Sequence, residues 1–141
     1  MDPSESAANK AEQTGGEKYI PRTYDTNQLE KIPFPTSDGD EFVVVAEINY
    51  FEADGNYTHI HRLDKSKVFV VKRLGEVIKM VRSKTFYRIH DKYYVNGNQC
   101  HKYFRQDFLL LMENGEQLKV AEKRATGFLA FFIKNARRLF K

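Results

Sequence analysis

Turn punctuation limits this chain more than any other feature. Between residues 38 and 115 a glycine sits beside an Asp or Asn four times: Asp38-Gly39, Asp54-Gly55-Asn56, Asn96-Gly97-Asn98 and Asn114-Gly115. Glycine adopts the positive φ that tight reversals need, and Asp and Asn tolerate it better than other residues. Between the turns lie short runs rich in β-branched and aromatic residues: FVVVA (42–46), NYFEA (49–53), YTHIH (57–61), VFVVK (68–72), YRI (87–89), KYYVN (92–96), CHKYF (100–104), FLLLM (108–112) and QLKVA (117–121). Runs of this length and composition predict strands, and the ADGN and ENGE reversals are hairpin signals. Helical periodicity appears in RLGEVIKMV (73–81), where Leu74, Val77, Ile78 and Val81 recur, and again in KRATGFLAFFIKNARRLF near the end. The expectation is a mainly β chain with two or three helices and small antiparallel sheets.

With 141 residues the chain has room for one domain and a tail. Residues 1–35, rich in Ser, Ala, Glu, Gln, Gly and Thr, predict a flexible acidic tail, because they offer too little apolar surface to offset ordering entropy. Pro33, Pro35 and Asp38-Gly39 mark the entry to the domain. Side-chain charge divides in the same place. Residues 1–40 hold four Lys/Arg and eight Asp/Glu, a balance of −4, whereas residues 41–141 hold nineteen and eleven, a balance of +8. A basic domain favours polyanions such as nucleic acid. The N-terminus shows no secretory signal, no apolar run approaches the ~20 residues of a membrane span, and a lone Cys100 cannot form an internal disulfide. A cytoplasmic setting is expected, with no membrane partner.

Candidate reactive groups are sparse. His59 and His61 share one strand face at a spacing that could ligate a metal, but no Cys-x-x-Cys or His-x-x-x-His accompanies them. Cys100 lies near His101 without a helix N-terminus or paired cation to lower its pKa. No glycine-rich phosphate loop runs from strand into helix. The pattern points away from an enzyme, and neither cofactor nor metal is expected. The last helix carries Phe128, Leu129, Phe131, Phe132 and Ile133 beside Lys134, Arg137 and Arg138. Its apolar positions predict packing on the sheet first, contact with a second copy or a regulatory protein next, and membrane last.

Three stretches, in order, resemble the LytTR family of DNA-binding domains over residues 36–127. INYFEADGNYTHIH (48–61) resembles its opening strand and Gly-Asn-Tyr turn. RLGEVIKMVRSKTFYRIHDKYYVN (73–96) resembles its central signature: a short helix, an aromatic, Arg-x-His, a polar pair, an aromatic and Val-Asn. FLLLMENGEQLKVAEKR (108–124) resembles its closing hairpin and the basic loop that follows. Residues 128–141 then form an amphipathic helical extension. The resemblance implies an elongated set of small antiparallel β-sheets whose loops enter successive major grooves of duplex DNA.

It also implies roles for particular residues. Arg88, Lys92, Lys123 and Arg124 would neutralise phosphates. Asn56, Thr58, His59 and His90 would hydrogen-bond base edges or phosphate oxygens, with Asp91 on the same edge. Asn96 and Glu52 would tie turns to backbone amides, and Tyr57, Tyr94 and Val95 would pack. The family usually continues its last strand with Val-Ser-Arg-Arg, where this chain has Val120, Ala121, Glu122 and Lys123. The implied function is that of a bacterial transcription regulator binding specific duplex DNA, with a possible homodimer on paired sites. The alternative is a protein-interaction module of the same fold that has lost tight DNA binding.

Overall fold

The computed structural model describes residues 29–140, with side chains described through Lys134. Ten strands alternate with two helices: β1 (Lys31–Thr36), β2 (Gly39–Val44), β3 (Ile48–Asp54), β4 (Tyr57–Arg62), β5 (Lys67–Val70), α1 (Leu74–Met80), β6 (Phe86–His90), β7 (Tyr93–Asn96), β8 (Cys100–Phe104), β9 (Leu109–Met112), β10 (Gln117–Lys119) and α2 (Glu122–Phe140). They form three antiparallel sheets: a β1–β2 hairpin, a three-stranded sheet ordered β10–β9–β8, and a five-stranded sheet ordered β5–β4–β3–β7–β6.

The five-stranded sheet is the centre because its period-2 alternation supplies apolar residues to both faces. From one face Phe51, Ile60, Val68, Val70 and Phe86 pack with Ile32, Phe34 and Val43 of the hairpin and with Leu74 and Val77 of α1. From the other face Tyr50, Ile89 and Val95 meet Leu110, Met112, Leu118 and Val120 of the smaller sheet and Phe128 of α2. The second cover is partial. On β4 and β5 the rings of Tyr57 and Phe69 lie 44% and 43% exposed.

Helix α2 sits close to β6 because Gly127 has no Cβ. A Cβ there would meet the Tyr87 hydroxyl at 2.5 Å. Phe128 and Phe131 then reach the Tyr87 ring, at centroid distances of 6.0 and 4.8 Å.

Two expected boundaries shift. Residues 1–28 of the expected tail lie outside the described residues, but 31–35 are strand, not tail: Ile32 and Phe34 alternate inward and Phe34 is fully buried. Proline is accommodated because β1 pairs on one side only, so a missing N–H costs no second ladder. The expected border between domain and extension at 127/128 falls inside one continuous helix, and Phe128 on its far side is a core residue.

Candidate nucleic-acid interface

Strand register brings two turns to one end of the five-stranded sheet. Glu52 of β3 pairs with His59 of β4 on one side and with Tyr93 of β7 on the other. The β3–β4 turn (54–57) and the β6–β7 turn (91–92) therefore project from the same edge, and Ala53 N–H donates to the Lys92 carbonyl between them at 2.8 Å. Neighbouring hairpins in a sheet put their turns about two strand spacings apart, ~10 Å. The start of α2 joins them, because Ala121 N–H donates to the Ile89 carbonyl at 2.8 Å.

The first turn is built on Gly55, whose φ of +63° suits glycine. Asn56 is exposed, and its side-chain oxygen accepts a 2.7 Å hydrogen bond from Arg73 Nη2. That bond engages the amide oxygen, and the NH2 group is the side chain's donor. Arg73 is the N-cap of α1. Nothing in the chain's local pattern marks it for this role, which depends on β5 ending beside the β3–β4 turn. His59 Nε2 lies 2.9 Å from Asp54 Oδ2, with its ring against Phe69 at 5.1 Å.

Thr58 is a correction. It is fully buried, and its hydroxyl donates to the Lys72 carbonyl at 2.8 Å. On β4 it alternates inward with Ile60, so it holds β4 to the end of β5 and is not available at the surface. Tyr57, expected to pack, is instead 44% exposed with its ring 5.0 Å from Phe69.

In the second turn His90 Nδ1 accepts from the Lys92 backbone N–H at 3.1 Å. The acceptor nitrogen carries no proton, so neutral His90 presents Nε2–H as a donor. Arg88 Nη2 donates to the Asp91 carbonyl at 2.6 Å, and Arg124 Nη2 donates to Asp91 Oδ1 at 3.0 Å. The Arg124 hydrogen bond, helped by the nearby Lys123 charge, holds the Asp91 carboxyl below its usual range. Lys92 Nζ lies 3.7 Å from Glu52 Oε2 and 5.9 Å from the Tyr93 ring centroid.

Lys123 and Arg124 were expected in a loop. They occupy the first turn of α2, which begins at Glu122. A carboxylate at that point favours the helix dipole, which gives Glu122 a structural reason to stand where the family usually has arginine.

Two expected structural residues divide. Asn96 is fully buried, donates to the Ile48 carbonyl at 2.9 Å and accepts from Asn98 N–H at 3.1 Å. Among the described residues Glu52 bonds no backbone amide, and it pairs with His61 Nε2 at 2.8 Å as well as with Lys92. Tyr94 stacks on Phe86 and lies tilted against Phe51, and Val95 is buried in the second core.

The edge is therefore laced with ion pairs. Lys72 lies 3.8 Å from Glu76, Lys92 is near Glu52, and Arg124 is on Asp91. Exposed pairs such as the first two contribute little stability in water.

The other reactive candidates do not assemble. Among the described residues no group of three or more His, Cys, Asp or Glu could hold a metal ion. Burial pushes the Cys100 thiol up to about 12, the opposite of an activated nucleophile. Among the described residues no helix is long and apolar enough to cross a membrane.

Comparison with known proteins agrees with this architecture. A family model described as the LytTr DNA-binding domain matches residues 39–132. A similar solved structure is the LytTr DNA-binding domain of a candidate methyl-accepting/DNA response regulator from Bacillus cereus. It is 26% identical, with a TM-score of 0.61, covering 72% of this chain and 95% of that one. No curated protein matches the chain. With two-thirds of its length matched by the family model and its fold shared with a solved member, the chain belongs to the LytTR family of DNA-binding domains.

Proposed function

We propose that this protein is a cytoplasmic transcription regulator that binds specific duplex DNA through the turn edge of its five-stranded sheet, with its two neighbouring turns entering one major groove. One observation supports the reading: the register sets the turns with Asn56, His59, Arg88, His90 and Lys92 at one end of the five-stranded sheet, and bonds from Ala121 to Ile89 and from Arg124 to Asp91 hold the start of α2, with Lys123 and Arg124, beside them. Two turns ~10 Å apart suit a major groove about 12 Å wide. The cations of α2 extend along the backbone that flanks that groove.

Roles follow from chemistry and geometry. Lys92, Lys123, Arg88 and Arg124 neutralise phosphates and fix the register on the duplex. The Asn56 NH2 group and His90 Nε2–H are donors suited to acceptors on base edges, such as purine N7, or to phosphate oxygens. Two copies on paired half-sites, with the far end of α2 as the contact between them, would extend the footprint.

The reading is tested by titrating duplexes with the wild-type chain and with Lys92→Ala and His90→Ala. Loss of affinity in both variants, with a shallower salt dependence for Lys92→Ala, is the expected result. Unchanged binding in both would remove this edge from consideration.

A second reading rests on the acids of the same edge. Glu122 and Asp91 lie among its cations, which suits a module of this fold that recognises protein rather than DNA. It predicts no duplex binding even at low salt.

A further inference from the structure

Asp91 stands out because its carboxylate has no part in forming its own turn. That turn is closed by His90 Nδ1 accepting from Lys92 N–H, and by Lys92 O accepting from Ala53 N–H. Asp91 has no positive φ to demand a special residue. Among the described residues the carboxylate's side-chain hydrogen bond runs to Arg124, thirty-three residues away on α2, while the backbone carbonyl of the same residue takes Arg88. One residue thus gathers guanidinium groups from β6 and from α2 at the tip of a turn. Its side chain is 71% exposed while that of Arg124 is 30% exposed, so the carboxylate holds the guanidinium end of a side chain whose stem is already partly covered.

We propose that Asp91 is a positioning residue for DNA discrimination, whose carboxylate fixes Arg124 beside Arg88 and whose charge opposes attachment to non-cognate duplex. The inference rests on the DNA-binding reading above. A free arginine follows any phosphate, because a point charge on a flexible stem carries no sequence information. An arginine held by a carboxylate presents its planar fork in one direction and so favours the duplex whose groups match it. The negative charge also sits among phosphates, lowering affinity for all sequences alike. Bound Asp91 therefore exchanges general affinity for selectivity.

The test compares wild type with Asp91→Ala, Asp91→Asn, Arg124→Ala and the double variant Asp91→Ala/Arg124→Ala. Each full chain is titrated, at several salt concentrations, with a duplex enriched from a random library by the wild-type protein and with a scrambled duplex. Asp91→Ala is expected to bind the scrambled duplex more tightly. Its log K against log salt slope steepens by about one, as one more cation reaches phosphate. Its preference for the enriched duplex falls at least about fivefold, the low end of what one well-placed side chain contributes to discrimination. Asp91→Asn, which keeps an acceptor without the charge, lies between them and serves as the readout if the alanine variant is poorly folded.

In the Arg124→Ala background the Asp91 substitution no longer changes the preference ratio. An unchanged ratio in both Asp91 variants, or an equal loss with and without Arg124, overturns the proposal. If the wild-type chain enriches no duplex from the library, the DNA-binding reading itself fails, whereas an enriched duplex bound equally well by wild type and Arg124→Ala overturns this proposal alone.

Discussion

The two turns at the end of the central sheet differ in how they fix their polar groups. In the β3–β4 turn, Arg73 donates to the neutral Asn56 amide, and His59 leans on Asp54 with aromatic neighbours. In the β6–β7 turn, two cations, Arg88 and Arg124, converge on one carbonyl and one carboxylate, and a third, Lys92, lies beside Glu52. Under the proposed reading, the first arrangement offers base edges a neutral amide donor, and the second offers the duplex charge, which discriminates only as far as the charges are held still. A shared strand, β3, supports both, since it pairs with β4 on one side and β7 on the other.

Removing that shared support should erase the comparison altogether. Phe51 of β3 is fully buried, within 5.8 to 5.9 Å of the Phe34, Phe86 and Tyr94 rings. Phe51→Ala is expected to destabilise the protein by about 3–5 kcal/mol in urea unfolding, disabling both turns together. A loss well under 1 kcal/mol would mean that the central core is not the support described.

Asn56→Ala sharpens the contrast. It should reduce discrimination between enriched and scrambled duplexes by about 1–3 kcal/mol while leaving the salt slope unchanged. Lys92→Ala should do the reverse, weakening both duplexes and reducing the slope by about 0.9. If the two variants gave the same pattern, the division of labour between the turns would not hold.

The smallest effect concerns neither turn. Burial raises the Cys100 thiol from its ordinary 9.0 to about 12, so the folded state favours the neutral form. Its contribution to stability is complete below pH 9 and is lost as pH climbs toward about 12, where the folded thiol also ionises. Melts of wild type and Cys100→Ala should differ by an amount that is constant up to about pH 9 and changes only above it, and a difference that varies with pH near neutrality would contradict the raised thiol.

Much of this was legible in the sequence because β alternation and Gly-containing turns are local signals. The strands of the central sheet appear in YTHIH, KYYVN and VFVVK to within a residue or two of their observed ends. The same alternation in YTHIH sets Thr58 with Ile60 and against His59, so the inward direction of Thr58 was written there. Family likeness alone placed it at the interface. Strand β1 was hidden by Pro33 and Pro35, which read as an irregular entry until pairing with β2 supplies a partner. Arg73 and the Asp91–Arg124 bond were not legible, because each joins segments distant in sequence, seventeen and thirty-three residues apart. Only tertiary register brings them together.

The central claim is that this edge holds specific duplex DNA. The most direct measurement is a fluorescence anisotropy titration of the full chain with the library-enriched duplex and its scrambled counterpart at several salt concentrations, alongside His90→Ala and Lys92→Ala. The account predicts preference for the enriched duplex, weakening with salt, and loss of affinity in both variants. Failure of the library to enrich any sequence, or equal binding by wild type and both variants, would contradict it.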